Sequence, residues 1–306
     1  MHYTLVAAIA YLLGGFTVVL DKFLLGSKRI SSAPIYAFYV GLTGMFVLAF
    51  VPFGFFVPTR EQIILSLFSG MLFDWGILAL YFSIQRSQAS QVTPVVGAVT
   101  PIATYVASFV LLGERLTSWQ SMGVALLIVG GLIISIDFRK TGREIKMFSG
   151  FTFALVAGVL FALAYTLFKD VYRSQPFLNG FIWTRFGSFV AALTLLIVPV
   201  WRRGILNSLK KFHRPKKSNV NSGALFSVNK ILGGTSSILI NFALSLGSAT
   251  VVNSLVSLQY VFVLVLASAA QRRFPDVFQE RVAVADWVQK VSAIVLITGG
   301  VALVSL

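Results

Sequence analysis

Three ionisable side chains lie inside long apolar runs of the sequence, where an unpaired charge is costly. They are Asp74 in GMLFDWGILAL, Arg185 in FIWTRFGSFV and Lys230 in LFSVNKILGG. Such a group costs about 2.5–3.5 kcal/mol within a membrane span on insertion scales, and it normally faces a cavity or an opposite charge. Arg185 and Lys230 have long stems that can carry their charge to the membrane interface, whereas Asp74 does not. We therefore predict that Asp74 pairs with Arg185 or Lys230, and that these groups bind a substrate or carry a coupling proton.

A second set of polar side chains lies on one face of a single predicted helix. Asn253, Ser257 and Tyr260 are spaced four and three residues apart, which places them on the same helical face. Such a face either lines a cavity or hydrogen-bonds a neighbouring helix, and in membranes each such bond contributes about 0.6 kcal/mol. Both interpretations stay open, and the three residues are candidates for substrate binding.

Two prolines stand one heptad apart in the apolar run QVTPVVGAVTPIATYVASFVLLGERL, at Pro94 and Pro101. A proline removes one helical hydrogen bond and costs about 3 kcal/mol in an ordinary helix interior. In a membrane the freed carbonyl is satisfied by a neighbouring helix, by water or by a hydroxyl side chain. We predict that this helix bends and forms a gate or a cavity wall. The corresponding later helix has Ser254 and Val261 at these places and is predicted to stay straighter.

The composition is that of a membrane protein. Of the 306 residues, 57% are hydrophobic and only 11% are charged, whereas a soluble domain carries roughly 25% charged residues. The apolar runs are long and lack the alternation of a membrane barrel strand, so helices are expected. The chain has no cysteine, which excludes disulfides and thiolate chemistry. We predict an all-α integral membrane protein.

Ten runs are long enough to cross a bilayer, which requires about 20 predominantly apolar residues. These predicted spans cover residues 3–21, 34–57, 62–84, 90–112, 118–137, 149–169, 177–200, 224–246, 249–270 and 286–305. The first of them lacks a basic leader and a small-residue cleavage site, so it is expected to be a retained span and not a signal peptide.

The chain repeats itself, and we divide it into two five-helix repeats at residues 1–140 and 147–306. Lys22 at the end of the first span matches Lys169 at the end of the sixth, and VPF and VPV close the second and seventh spans. Because each repeat has an odd number of spans, the second repeat is inverted in the membrane relative to the first. Inverted repeats are typical of alternating-access transporters, whose substrate site lies near the bilayer midplane.

One stretch of the first repeat resembles a known family. The segment LLGERLTSWQSMGVALLIVGGLI, residues 111–133, is similar to the junction of spans four and five in EamA-type members of the drug/metabolite transporter superfamily. The matching residues are Gly113, Glu114, Trp119, Gln120, Gly123 and Gly130. The resemblance extends over the whole chain and implies ten helices in two inverted repeats. The second repeat departs from the pattern, since Phe274 replaces the direct counterpart of Glu114.

These observations predict a secondary transporter and not an enzyme. A cavity that holds Asp74 and a cation suits a zwitterion, and the resemblance implies that amino acids or related metabolites are exported. The sequence contains no GxxxxGK[ST] motif, so ATP is not the expected energy source. Two alternatives stay open. One is a transporter or flippase of phosphorylated or lipid-linked sugars, favoured if Arg185 and Lys230 both face the cavity, and the other is a non-transporting membrane scaffold.

The net charge of +15 predicts contact with lipid and not with nucleic acid. The densest basic cluster, WRRGILNSLKKFHRPKKSN at residues 201–219, follows an apolar run, as clusters that meet anionic head groups do. The expected partners are a small-molecule solute and membrane lipids, and the expected location is a bacterial or archaeal cytoplasmic membrane. His2 and His213 are isolated, so no metal and no cofactor is expected. The sequence does not determine the oligomeric state.

Two arguments about orientation disagree. Eighteen Lys and Arg residues lie in the predicted loops after the odd-numbered spans and four in those after the even-numbered spans. The positive-inside rule then places both termini outside the cytoplasm. The resemblance implies that both termini are cytoplasmic.

A reporter fused after Leu306 distinguishes the two orientations. From the charge count we expect activity only from a reporter that works outside the cytoplasm, because basic loops are retained on the cytoplasmic side. The measurement compares an outside-active and a cytoplasm-active reporter at the same position. Activity of the cytoplasmic reporter alone would refute the charge-based orientation.

Overall fold

The computed structural model describes residues 3–24, 32–86, 89–135, 149–212, 220–271 and 284–304, and the regular structure in these ranges is helical. The helices are α1 Tyr3–Leu24, α2 Ala33–Gly44, α3 Arg60–Arg86, α4 Ala89–Leu112, α5 Ser118–Ser135, α6 Phe151–Ser174, α7 Phe177–Thr194, α8 Pro199–Phe212, α9 Val220–Leu246, α10 Ala249–Ser254, α11 Val256–Gln271 and α12 Val284–Val304. Short 3₁₀ segments, Met45–Phe53 and Leu195–Ile197, extend α2 and α7.

The prediction of an all-α integral membrane protein is confirmed. Within the described ranges, seven helical segments are long and apolar enough to cross a membrane, and three shorter apolar helices accompany them. Each of the ten predicted spans coincides with helical structure. Helix α8 was not predicted, because its sequence PVWRRGILNSLKKF lies in the basic cluster that was interpreted as a loop.

Which of the fourth and ninth spans bends more stays a prediction. The ninth span is not one regular helix. It divides at Leu255 into α10 and α11, and the amide of Leu258 donates to the carbonyl of Leu255 over 2.9 Å. This i to i−3 bond is that of a tight 3₁₀ turn. Helix α4 is continuous through Pro94 and Pro101. The break in regular helix therefore falls where prolines are absent.

Two helices begin with the same reciprocal cap. At the start of α3 the amide of Thr59 donates to Gln62 Oε1, and the amide of Gln62 donates to Thr59 Oγ1. Thr117 and Gln120 make the same pair of bonds before α5, at 3.1 and 3.2 Å. Each cap satisfies two amides that the first helical turn leaves without partners. This explains Gln120, one of the residues that carry the family resemblance.

The helices form two compact units, and each unit draws on both halves of the chain. Unit one contains Met1–Arg29, Arg115–Arg143 and Lys217–Leu306, and unit two contains Ile30–Glu114 and Glu144–Lys216. Compactness in space is a different property from repetition in sequence. The repeat boundaries at 1–140 and 147–306 therefore stay a prediction.

The helix pairs inside each unit follow the same pattern with the two halves exchanged. In unit two, α3 and α4 pack against α6, so the third and fourth spans of the first half contact the first span of the second half. In unit one, α9 and α11 pack against α1, which is the same relation in reverse. This correspondence supports an arrangement built from two equivalent repeats.

Helices α3 and α7 approach closely at two glycines in unit two. A Cβ atom at Gly70 would collide with the carbonyl oxygen of Thr184, and one at Gly187 would collide with the carbonyl oxygen of Leu67. The Ser188 hydroxyl donates to the carbonyl oxygen of Gly70 over 3.1 Å. Small residues of this kind allow membrane helices to approach backbone to backbone.

Replacing either of these glycines is expected to destabilise unit two. Gly70→Ala and Gly187→Ala each place a methyl group against rigid backbone, and such overpacking costs about 1–3 kcal/mol. The measurement is the thermal unfolding midpoint of the full chain in detergent. Gly204→Ala is the matched control, because the nearest atom to its new Cβ would be 3.6 Å away. Equal midpoints for all three variants would contradict the close contact of α3 with α7.

Candidate functional site

Asp74 lies in the middle of α3 and is completely buried. Neither carboxylate oxygen has a hydrogen-bond partner among the described residues. An ionised carboxylate without compensation is very costly in an apolar environment. The group therefore needs an opposite charge, a proton or a ligand.

Arg185 of α7 is also buried, with 9% of its surface exposed. Its guanidinium carbon lies 4.7 Å from the ring centroid of Phe181 and 5.5 Å from that of Phe73. A desolvated cation over an aromatic face gains about 2 kcal/mol. Phe73 directly precedes Asp74, and α3, which carries both residues, packs against α7. Asp74 and Arg185, one of the two predicted pairings, thus lie on packed helices of unit two, and their direct pairing stays a prediction.

Aromatic rings of α6 complete the surroundings of Arg185. The ring of Phe73 lies 6.0 Å from Tyr165 and 6.0 Å from Phe168. We call Phe73, Asp74, Tyr165, Phe181 and Arg185 the Asp74–Arg185 site, since they surround two opposite charges with aromatic walls.

A glycine on α3 allows α6 to reach this site. A Cβ at Gly76 would lie 2.9 Å from two ring carbons of Phe161, which is closer than side chains normally approach. Phe161 also contacts Phe73, with 5.6 Å between the centroids. The site thus depends on a small residue two positions after Asp74.

The other predicted charge, Lys230, belongs to α9 in unit one. Its side chain lies outside the part of the chain that the structure describes. Its role in substrate binding or coupling stays a prediction.

The polar face of the ninth span also lies in unit one. Asn253 and Ser257 are buried, and the Ser257 hydroxyl donates to the carbonyl oxygen of Leu127 on α5 over 2.6 Å. Tyr260 is partly buried, and its ring faces Gly131 of α5. The observed bond of Ser257 corresponds to the helix-packing interpretation of this face. A substrate-binding role for the three residues stays a prediction.

Pro94 and Pro101 both lie within α4, and Pro101 is buried. The hydroxyl of Thr104 donates to the carbonyl oxygen of Thr100 over 2.7 Å. A threonine hydroxyl thus bonds a backbone carbonyl beside the second proline, as hydroxyl side chains do in membrane helices. A gating role for the two prolines stays a prediction.

An ion pair joins α6 to the turn that follows α4. Lys169 Nζ lies 3.4 Å from Glu114 Oε2, and the two side chains are only 9% and 8% exposed. The two residues are therefore partners in a buried electrostatic contact.

The glycine before Glu114 turns the chain toward this contact. Gly113 has φ +63°, a left-handed conformation that glycine adopts without steric cost and that commonly ends helices. The amide of Glu114 then donates to the carbonyl oxygen of Ser108 over 3.1 Å. The leucine-glycine-glutamate motif therefore ends a helix and directs a carboxylate toward α6.

Sequence reasoning missed the aromatic partners of Arg185. Two local signals were available, because Phe73 precedes Asp74 and Phe181 lies one helical turn before Arg185. The chain has 28 phenylalanines, so these spacings did not distinguish the two rings from ordinary packing residues.

Comparisons with known proteins agree with this fold. Residues 2–136 match the model of the EamA-like transporter family, which confirms the resemblance found in the sequence. An uncharacterised protein of Methanocaldococcus jannaschii is 30% identical over 81 residues, or 26% of this chain and 58% of that protein. The match thus spans little more than half of that relative's length.

A solved crystal structure of an unspecified protein extends the fold over the whole chain. It superposes with a TM-score of 0.69 at 16% identity and covers 99% of this chain and 98% of its own. At this identity the likeness concerns the fold alone.

Breaking the Glu114–Lys169 pair is expected to destabilise the chain. Lys169→Met leaves Glu114 as an uncompensated buried charge, which typically costs about 3–5 kcal/mol. In the Glu114→Gln background, Lys169→Met is expected to lower the stability less than it does in wild type, because no buried carboxylate is then left without its partner. Thermal midpoints of the two single variants and the double variant measure the coupling. The exposed neighbour Arg173 supplies the control Arg173→Met, and strictly additive losses would exclude a coupled pair.

Proposed function

We propose that this chain, a multi-pass membrane protein whose residues 2–136 match the EamA-like transporter family, is a secondary transporter. It exports a small organic zwitterion, an amino acid or a related metabolite, by alternating access. The observation that carries the proposal is the Asp74–Arg185 site, where a carboxylate and a guanidinium are buried in the middle of two packed membrane helices. Ionisable residues in such places are rare and mark substrate or ion pathways.

The geometry of the site supports a zwitterionic solute. A guanidinium binds a carboxylate through parallel hydrogen bonds, so Arg185 suits the acidic end of the solute. Asp74, whose oxygens lack hydrogen-bond partners among the described residues, suits an ammonium group. The rings of Phe73 and Tyr165 offer apolar contact to the part between these ends. Each charge of the solute thus meets an opposite charge, which offsets the cost of removing it from water.

The phosphorylated or lipid-linked sugar is a weaker candidate for this site. A phosphate group carries up to two negative charges, and Asp74 beside Arg185 would repel it. That candidate requires Arg185 and Lys230 to act together. The two residues belong to different units, and the side chain of Lys230 lies outside the described part of the chain.

A membrane scaffold without transport does not account for the buried charges. A scaffold needs helix contacts, which glycines and apolar side chains supply. Scaffolding does not require a carboxylate and a guanidinium within membrane spans, where each costs several kcal/mol to insert. The family match of residues 2–136 also favours transport.

Asp74→Asn is expected to reduce transport strongly. In proteoliposomes, we expect counterflow of a labelled amino acid to fall by about 10- to 100-fold, because a hydrogen bond to a charged group contributes about 1.5–3 kcal/mol. Asp170→Asn is the matched control, since Asp170 is a partly exposed carboxylate of α6. Circular dichroism and elution volume check that both variants fold.

The chemistry of the solute supplies a second arm of the same experiment. An N-acetylated amino acid lacks the ammonium group, so wild type is expected to transport it poorly and Asp74→Asn no worse. If the Asp74→Asn variant showed the same counterflow rate as wild type and the same dependence of that rate on pH, the proposed role of this carboxylate would be excluded. Transport of the N-acetylated and free forms at equal rates would instead exclude recognition of the ammonium group.

A further inference from the structure

Helix α8 follows the seventh span at a sharp change of chain direction. The 3₁₀ segment Leu195–Ile197 ends the span, Val198 is extended, and Pro199 begins α8. An extended residue before a proline and a proline in the first helical turn are typical of such a junction. The new helix has 14 residues, too few to cross a bilayer.

One face of α8 is already covered by unit two. Ile205 is completely buried, and Trp201 and Leu209 pack against the same cluster, which includes Phe38 of α2. The Ser208 hydroxyl forms a hydrogen bond with Tyr39 over 3.1 Å. These contacts hold α8 against the transmembrane helices, so its apolar face is used for packing within the protein.

The outward face of α8 is cationic with a few apolar side chains. Arg202, Arg203 and Lys210 are exposed, and Val200 and Leu206 of the same helix are 78% and 46% exposed. This combination is that of a helix in the plane of a membrane surface, where cations meet head groups and apolar side chains reach the acyl boundary.

The same side of unit two carries a further cation. The Arg86 guanidinium at the end of α3 lies 4.2 Å from the ring centroid of Phe153. Phe82, one turn before Arg86, contacts Trp201 of α8 with 6.0 Å between the centroids. The end of α3 and the start of α8 therefore lie on one side of the unit, which we call the basic side.

The carboxylates that the structure describes in unit two lie away from the basic side. Among the residues that the structure describes in this unit, the acidic ones are Glu61, Asp74, Glu114 and Asp170. Asp74 is in mid-span, and Glu61 is at the opposite end of α3 from Arg86. Helices α3 and α6 are antiparallel, because Gln62 bonds the carbonyl of Ser174 while Ser83 bonds that of Gly150.

That antiparallel packing also places the remaining two carboxylates. Asp170 lies near the end of α6, and Glu114 bonds Lys169 beside it. Both are thus at the end of the unit opposite α8. The basic side presents cations without a compensating carboxylate in the described part of the unit.

We propose that the basic side of unit two, centred on α8, is a binding surface for anionic phospholipid head groups. The phosphates of the lipid contact Arg202, Arg203 and Lys210, and Val200 and Leu206 contact the upper part of the acyl chains. The occupant is a lipid because the face joins apolar and cationic side chains and continues directly from a membrane span. Basic segments next to a span attract the anionic cytoplasmic leaflet by about 1 kcal/mol per cation.

The test is a lipid titration of the full chain in detergent. Bound lipid is counted by native mass spectrometry, with phosphatidylglycerol as the anionic probe and phosphatidylcholine as the zwitterionic one. We expect tighter binding of phosphatidylglycerol. Arg202→Gln/Arg203→Gln is expected to weaken it by about 25-fold, or about fivefold for each cation removed.

A matched pair of cations on the other side of the unit controls for net charge. Arg60 and Arg173 are equally exposed, and Arg60→Gln/Arg173→Gln is expected to leave phosphatidylglycerol binding within about twofold of wild type, since neither cation belongs to the surface. Arg203→Gln/Lys210→Gln is a second variant if the first does not fold. Thermal midpoints without added lipid establish that each variant is folded.

Three results would overturn the proposal. They are equal affinity for the two lipids, equal losses in the α8 pair and the control pair, and complete displacement of phosphatidylglycerol by soluble glycerol phosphate. The last result would indicate a site for small anions and not for a lipid surface. Binding of a soluble RNA by the same cations, without any preference between the lipids, would indicate a nucleic-acid surface instead.

Discussion

The structure depends on one constraint, which is that the hydrocarbon core of a membrane offers no hydrogen bonds to backbone or charge. Helices satisfy the backbone within each span, and charged side chains must then find partners inside the protein. Lys169 finds Glu114 at the end of α6. Arg185 lies over the aromatic rings of Phe181 and Phe73. Lys169 and Arg185 thus both have neighbours within unit two.

Close helix packing makes these pairings possible. Gly70 and Gly187 let α3 and α7 approach backbone to backbone, and Gly76 admits the ring of Phe161. The first contact sets the distance between the helices that carry Asp74 and Arg185. The second brings the rings of α6 beside them. In this way glycines determine how closely the helices that carry the buried ionisable side chains approach one another.

The two ends of unit two carry different sets of charged side chains. The end that carries α8 has Arg86, Arg202 and Arg203, while the other end pairs cations with carboxylates. A cation near a carboxylate is largely neutralised, whereas uncompensated cations create a field that attracts anions. The two ends of the unit are therefore suited to different surroundings, and the α8 end is suited to anionic lipid. The loop charge count treats all cations alike, whereas the structure distinguishes a cation paired with a carboxylate, such as Lys169, from the exposed cations of α8.

Composition and motif were sufficient for the class of protein. Hydropathy located all ten spans, since a bilayer requires about 20 apolar residues whatever their neighbours are. The motif around Glu114 was sufficient for the family resemblance, and the cost of a buried charge singled out Asp74 and Arg185. These inferences depend on local sequence alone. The helices that coincide with the ten predicted spans and the family match of residues 2–136 agree with the class of protein and with the resemblance.

Tertiary packing decided what local sequence could not. The choice of Arg185 as a neighbour of Asp74 depends on how α3 meets α7, and the burial of Lys169 depends on where the turn after α4 ends. Helix α8 was not predicted because its apolar residues, such as Ile205, are too few to form a span and pack against residues far away in the chain, such as Phe38 of α2. The break at Leu255 likewise could not be predicted from the sequence, because no proline lies near it. Each of these features arises from contacts between residues far apart in the chain, whose partners no local pattern can specify.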